Sequence, residues 1–501
     1  MSSSRPRPED DNQDLNLDNN NNNNNNKRQK TDHDQEEQHK PKIEYLESCT
    51  QLLASEGVSE EENFGCVRLP DLLYHDDLER IVQFNFTVDL EYLMENIHPK
   101  VRSKIPITVI HGHRFDESKR AIQAMLLFFN KKGIQSVRMV VCTANLCQAD
   151  WETMTQGIYQ TPYCPLKPNK PTKNQGGVVG SEYGSRFERD LVNYMNAYNT
   201  SLREIRALVR LYDWSACKGI LIGSVPGYHK GAAMELWGLQ KLANVLRTHV
   251  SLDQDCVKDG STIIAQCSSV GSLRGQWFQR DFTRCMSEAI NASKAKMPEI
   301  KFMYPTVDEV CQSHSGIISS AGFLRLEKGV YEQSKNWLDT HLCKWISTES
   351  GRQKIMPHIK TYTRVYGFNS IAWHLLTSAN LSRAAWGEFQ KGNTQLHIKS
   401  FELGVFLCPS LFETPEYTDI QLLAATVHNP KPMPITLSNN SMTTTNEDGD
   451  EDRITGIVPI RLPYDLPVEA YRAQDKCYTR QYSRDACVQL FGTDAASDLF
   501  D

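Results

Sequence analysis

The chain has 501 residues, 40% of them hydrophobic, with 55 Lys and Arg against 61 Asp and Glu and a net charge of -6. That length allows two or three domains at roughly 150 residues each and a sizeable core. The mild acidic excess argues against wholesale coating of nucleic acid, though not against a local basic groove. The 14 cysteines are scattered with no Cys-x-x-Cys pair, so zinc-ribbon spacing is absent. The start is polar from Ser2 onward and no apolar run is long enough for a bilayer, so neither a secretory leader nor a membrane span is expected. Scattered cysteines without a leader predict a reducing compartment, cytosol or nucleus.

Residues 1 to about 60 are poor in apolar side chains and include the run Asn19 to Asn26. They are predicted to be a disordered tail, because such a segment buries too little surface to offset its ordering entropy. Lys27-Arg28-Gln29-Lys30 follows the Asn run. It reads either as a nuclear import signal or as a solvated charge run. From about Phe64 the composition turns mixed. Ile107-Thr108-Val109-Ile110, ending at His111-Gly112, predicts a buried strand, and Met139-Val140-Val141 predicts another. Ser185 to Tyr198 predicts an amphipathic helix, with Phe187, Leu191, Met195 and Tyr198 at helical spacing and Ser185 with Glu188 as a capping box. Gly219-Ile220-Leu221-Ile222-Gly223 predicts a third strand, and polar Ser438 to Asp452 a surface loop. Strands alternating with helical stretches give an α/β protein.

An internal repeat adds a functional signal. Residues 142–151 read Cys-Thr-Ala-Asn-Leu-Cys-Gln-Ala-Asp-Trp, and residues 377–386 read Thr-Ser-Ala-Asn-Leu-Ser-Arg-Ala-Ala-Trp. Ala-Asn-Leu-x-x-Ala-x-Trp thus occurs twice in one register, each time after an apolar segment. This predicts two homologous halves, with Asn145 and Asn380 at equivalent strand ends. The alternative is that each Asn only caps the helix that follows. Upstream of the second copy stands His358-Ile359-Lys360. On one strand the two side chains would share a face, and a following strand could bring Asn380 beside them. An imidazole can attack phosphorus or move a proton near neutral pH, while an ammonium and an amide hold phosphoryl oxygens as charge grows. Phosphodiester cleavage by such a set needs no metal and no cofactor.

Met356-Pro357-His358-Ile359-Lys360-Thr361-Tyr362 and Thr377 to Gly387 resemble the second catalytic motif of the tyrosyl-DNA phosphodiesterases, in the phospholipase D superfamily. Ser400-Phe401-Glu402-Leu403-Gly404-Val405 resembles the glutamate-bearing segment after it. Asn145, Ala149-Asp150-Trp151 and Thr155-Gln156-Gly157 resemble the first-half counterpart. Ser268-Ser269-Val270-Gly271-Ser272-Leu273 is similar to the family's DNA-phosphate loop, and otherwise reads as a Ser/Gly turn. Leu462-Pro463-Tyr464-Asp465-Leu466-Pro467 resembles its C-terminal signature. The resemblance runs from about residue 60 to about 475.

It implies an α/β fold of two homologous phospholipase D-like domains, about 61–217 and 218–501, each a mixed sheet flanked by helices and related by a pseudo-two-fold. It implies hydrolysis of 3′-phosphotyrosyl and related 3′ adducts in DNA repair, through a phosphohistidine on the first-half His. By the same resemblance His358 is the general acid and base. Lys360, Asn380 and Asn145 hold phosphate, Gln156 orients His358, and Glu402 orients the first-half His. Ser268, Ser269, Gly271 and Ser272 bind DNA. The implied partner is a single- or double-stranded DNA 3′ end carrying a tyrosyl or peptide adduct, met in the nucleus by a monomer without membrane contact. A phospholipid-cleaving relative is the weaker reading, because the motifs are of the DNA type.

The first His-x-Lys is missing. Projecting the His358-to-Asn380 spacing back from Asn145 lands within Ala121-Ile122-Gln123-Ala124-Met125, which holds neither His nor Lys. His111 and His113 are the nearest histidines, and neither is followed two residues later by Lys. Arg114 to Ala124 therefore reads as a join between two family-like flanks. Three explanations stand: an exon lost from the gene model or by splicing, a catalytically dead paralogue that still binds DNA ends, or an enzyme that recruits His111 or His113. Loss of the segment is expected to leave first-half backbone groups and apolar surface unpaired.

Overall fold

The structure is a computed structural model that describes residues 42–111, 123–168, 184–198, 202–433 and 454–491, with 493 and 497. The Asn run, the basic cluster, His113 and the 438–452 stretch lie outside the described residues. Regular structure begins inside the span expected to be tail. β1 (Lys42–Tyr45) pairs in parallel with the last strand, β20 (Ile454–Arg461). Backbone pairing of this kind leaves no mark on composition.

The first half builds a seven-stranded sheet from β2 (Thr50–Leu52), β3 (Leu78–Asn85), β4 (Ile107–His111), β5 (Ala124–Lys131), β6 (Ile134–Cys142), β7 (Gly157–Gln160) and β8 (Cys164–Pro165). Its order is β2-β7-β6-β5-β3-β4, with β8 also on β6. The second half builds a ten-stranded sheet that β1 joins. Its strands are β9 (Ile220–Ser224), β11 (Thr262–Gln266), β12 (Glu299–Met303), β13 (Leu342–Cys343), β14 (Thr361–Tyr366), β15 (Ser370–Thr377), β18 (Glu402–Leu407), β19 (Asp419–Ala425) and β20. A small third sheet holds β10 (Gly227–Lys230), β16 (Glu388–Gln390) and β17 (Gln395–Ile398).

The two large sheets share one pairing scheme. β4 lies parallel to β3, and β3, β5, β6 and β7 follow one another antiparallel. In the second half β12 lies parallel to β11, and β11, β14, β15 and β18 repeat the antiparallel run. Registers correspond as well: Ala124 pairs with Phe84 and Val141, as Thr361 pairs with Gln266 and Leu376. After the strands, Val88 bridges to Leu146 as Val270 bridges to Leu381. A duplicated sequence thus gives a duplicated sheet.

Between Tyr304 and His358 the second half holds three α-helices and β13, which extends the sheet beyond β12. The first half has only residues 112–120 for the same stretch. β4, expected to be buried, is half-buried and pairs only with β3 among the described residues. Among the described residues nothing in the first half takes the place that β13 has beside β12.

One core cluster packs Val82, Phe84, Leu126 and Phe128 with Phe187 and Leu191 of the helix Arg186–Asn196, and continues through both faces of the second half. A second cluster covers the other face of the first sheet, through Ile81, Met125, Leu127 and Phe129. Each such side chain contributes roughly 1.5–3 kcal/mol by burial. Ser185 caps that helix by accepting from the Glu188 N–H at 3.2 Å. The Glu188 carboxylate accepts from the Gly184 N–H and Lys167 Nζ, so the reciprocal half of the expected capping box is displaced by one residue. Tyr198 lies past the helix end and stacks on Phe401.

Candidate active site

The halves meet along a short backbone seam. The Thr155 N–H donates to Met356 O, and the N–H groups of His358 and Ile359 donate to Thr155 O, at 2.9–3.0 Å. This seam sets the first-half Gln156 against the second-half His358. Both strand-end asparagines open onto one cavity of about 500 Å³, with His358, Lys360, Ser268, Ser269 and Glu402 also in its wall. His358 and Lys360 stand just before β14 rather than within it, and still face the cavity together.

Neither asparagine is a helix cap. Ser382 caps the helix Arg383–Trp386 by accepting from the Ala385 N–H, and the helix Gln148–Glu152 has Cys147 at its cap position. Asn380 Oδ1 accepts from the Ser269 N–H at 2.9 Å and from Ser268 Oγ at 3.3 Å. That bonding turns the carboxamide so that Nδ2 is the donor it can offer the cavity. Ser268 and Ser269 thus both line the cavity and position Asn380. Gly271 and Ser272, expected to touch DNA, are not in the cavity wall. The Gly271 N–H donates to Leu381 O, and Ser272 O accepts from Arg383 Nε, so both bind the loop to the Asn380 segment. A Cβ at Gly271 would stand 2.8 Å from Ser382 Cβ, which is why no side chain fits there.

Gln156 is fully buried behind the ring it was expected to orient, with Nε2 2.8 Å from His358 Nδ1. Thr143 Oγ1 accepts from the Gly157 N–H and donates to Gln156 Oε1 at 2.7 Å, which turns the amide NH₂ toward the ring. Glu402 accepts from Ser378 Oγ at 2.6 Å, and the first-half His it was expected to orient is absent from the sequence motif.

Burial and the nearby Lys360 charge hold the His358 imidazole below its ordinary range, so the ring is neutral at pH 7. Burial also brings Lys360 down to about 8, against the pull of Asp150 and Glu402. Asp150 would be raised by burial. The His358 bond and charge, with the Asn145 N–H, outweigh this and hold it below the usual carboxylate range. Arg325 adds a second cation to the wall.

Backbone register locates the empty position. The Thr377 N–H donates to Lys360 O at 3.0 Å, and the Cys142 N–H donates to Gln123 O at 2.9 Å. Gln123 therefore stands where the second half has Lys360; the residue two before it in sequence is Ala121, not His, and lies outside the described residues. Gln123 Nε2 lies 3.5 Å from Asn145 Oδ1, in the cavity wall. His111 is set apart: Phe84 pairs Ile110 as Gln266 pairs Met303, so His111 matches Tyr304 and not His358. Cys147 lines the cavity, but burial and the Asp150 charge push its thiol up to about 12, so it is no ready nucleophile.

Asp150, which in sequence is only part of the first-half matching stretch, stands in the cavity wall. The signal was the one position where the repeats differ beside the Trp: Asp150 in the first copy, Ala385 in the second. Gln123 and Arg325 carried no comparable mark. Among the described residues no group of three or more His, Cys, Asp and Glu is placed to hold a metal, and no helix is long and apolar enough to cross a membrane.

A family model described as tyrosyl-DNA phosphodiesterase matches residues 50–125 and 123–472. Tyrosyl-DNA phosphodiesterase 1 of Arabidopsis thaliana is 31% identical over 491 residues, covering 89% of this chain and 76% of the relative. A probable tyrosyl-DNA phosphodiesterase of Schizosaccharomyces pombe is 28% identical over 536 residues, covering 89% and 96%. The crystal structure of the yeast tyrosyl-DNA phosphodiesterase superposes with a TM-score of 0.59 at 17% identity, covering 86% of this chain and 99% of that one. At that identity the likeness speaks for the fold.

Proposed function

The chain belongs to the tyrosyl-DNA phosphodiesterase family, hydrolases of two phospholipase D-like halves, and on that premise we propose that this 501-residue form binds DNA 3′ ends bearing tyrosyl or peptide adducts without making the covalent step. The observation that carries the reading is the register. Lys360, Asn380, Asn145 and His358 stand around one cavity, while Gln123 occupies the position of the first Lys and the sequence has Ala two residues before it, not His. Lys360 and the two carboxamides can hold a phosphodiester. Among the described residues no imidazole faces His358 across the cavity, and without one no phosphohistidine forms. The break in the family match falls at the same place, residues 123–125. Action in the nucleus as a monomer completes the proposal.

Intact family-like flanks on both sides of the join favour a second reading, in which a longer product of the same gene carries the absent segment and the full hydrolysis.

Binding tests the proposal. An oligonucleotide ending in 3′-phosphotyrosine should bind more tightly than its 3′-hydroxyl counterpart, with affinity falling as salt rises. Because Lys360 loses its proton near 8, its protonated fraction falls about tenfold between pH 7 and pH 9, and affinity should fall by up to about tenfold over that range. Lys360→Arg, which stays cationic, should remove most of that pH dependence. Equal affinity for both ends, or a pH-independent preference, would overturn the proposal.

A further inference from the structure

An exposed aromatic pair stands on the small third sheet. In that sheet Tyr228 of β10 lies opposite His397 of β17, and His397 lies opposite Glu388 of β16. Residues directly opposite one another share a face, so these three side chains form one row. The other face, with Leu396 and Phe389, is buried. Tyr228 lies flat on the His397 ring, with centroids 4.2 Å apart and planes 13° apart. It is still 63% exposed, so its opposite face is open to solvent. Burial and the Lys399 charge hold the His397 imidazole below its ordinary range, so the ring beneath Tyr228 is neutral at pH 7. Glu388, the acid in the row, is paired with Arg383 at 2.8 Å and Arg274 at 3.8 Å. Lys230, two residues on from Tyr228, and Lys399, two on from His397, are both exposed.

This face is continuous with the cavity. β17 leads through Lys399 and Ser400 to Phe401 and Glu402, both in the cavity wall. β9 ends with Ser224 opposite Glu402 and leads into β10. Arg383, which holds Glu388, also donates to Ser272 O of the serine-rich loop. The chain from His397 to Glu402 can span at most about 18 Å, the length of about five nucleotides at ~3.4 Å each. We propose that the outer face of the third sheet is a second contact for the bound DNA: an unpaired base of the strand leading to the 3′ end stacks on Tyr228, and Lys230 and Lys399 hold the phosphates that flank it. Stacking uses the π-face that every base has, so the contact tolerates any sequence; it needs an unpaired base, so the occupant is single-stranded DNA. Glu388 is already offset by two arginines, so the two lysines leave these side chains positive in sum, which suits a phosphate backbone.

The inference rests on the proposed binding of DNA 3′ ends and adds where the rest of the strand lies. Two single-stranded probes ending in 3′-phosphotyrosine separate the two claims. A dinucleotide fills the cavity alone, whereas a strand of about twelve nucleotides, roughly 40 Å long, also reaches the third sheet. With the full chain the longer probe should bind more tightly. Tyr228→Ala should lower its affinity about tenfold and leave the dinucleotide unchanged, while Tyr228→Trp should keep the native value for both. Lys230→Ala and Lys399→Ala should each lessen the salt dependence of the longer probe by about 0.7 in the slope of log affinity against log salt. A dinucleotide bound no better than its 3′-hydroxyl counterpart would sink the cavity reading, with a Tyr228-dependent gain for the longer probe still supporting this face. A longer probe bound equally by native protein and Tyr228→Ala, or an equal loss on both probes, would overturn the assignment.

Discussion

Placing His at position 121 and Lys at position 123 should convert this chain into a metal-independent phosphodiesterase. Ala121→His with Gln123→Lys should raise cleavage of a 3′-phosphotyrosyl oligonucleotide by a factor on the order of 10³ or more, since the nucleophilic route is otherwise absent. Matched bonds of Thr377 to Lys360 O and Cys142 to Gln123 O fix which residue is which. Much of the remaining machinery is in place. Lys360, Asn145 and Asn380 are in the wall, His358 has its two partners, and Glu402 faces the same cavity. An acid-labile phosphohistidine should accumulate on rapid quench of the double variant. Adding His358→Ala should then slow release of tyrosine, whose phenolate needs a proton. No gain in turnover, with DNA binding retained, would mean that the absent segment supplies more than two side chains.

Arg352→Ala should unfold the seam that brings the halves together. Arg352 is completely buried, yet both terminal nitrogens are engaged. Nη1 donates to Glu62 O and Gly351 O at 3.0 and 2.7 Å. Nη2 donates to Leu53 O, Asn63 Oδ1 and Cys66 Sγ at 3.0–3.1 Å. One guanidinium thereby joins the β2 region of the first half to the turn that leads into His358. Removing it strands several buried acceptors and leaves a cavity, an expected cost of about 3–5 kcal/mol in urea denaturation. Arg352→Lys should recover only part, because an ammonium cannot reproduce the planar fork. A loss below about 1 kcal/mol for the alanine variant would contradict this role.

The duplication, the second-half motif and the α/β class were legible because each leaves a local signature. Ala-Asn-Leu-x-x-Ala-x-Trp repeats in register, and His358, Lys360, Asn380 and Asn145 do converge on one cavity. What depends on distant pairing was not legible. β1 is ordered through β20, some 400 residues away in the chain, so the predicted tail was drawn too long. Gly271 and Ser272 look like binding residues in sequence, where nothing shows that one backbone group of each ties the loop to Leu381 and Arg383. β4 has the β-branched run of a buried strand, and lies half-buried because among the described residues nothing pairs with its outer edge. Asp150 was hidden by the repeat itself, which draws the eye to what the halves share.

The most direct measurement is single-turnover incubation of the unmodified 501-residue chain with a 3′-phosphotyrosyl oligonucleotide, without added metal, followed for both binding and release of tyrosine. The predicted result is a bound 3′ end and no tyrosine released above background. Release that depends on His358 would contradict it, and loss of that release in His111→Ala would identify the strand-end histidine as the nucleophile.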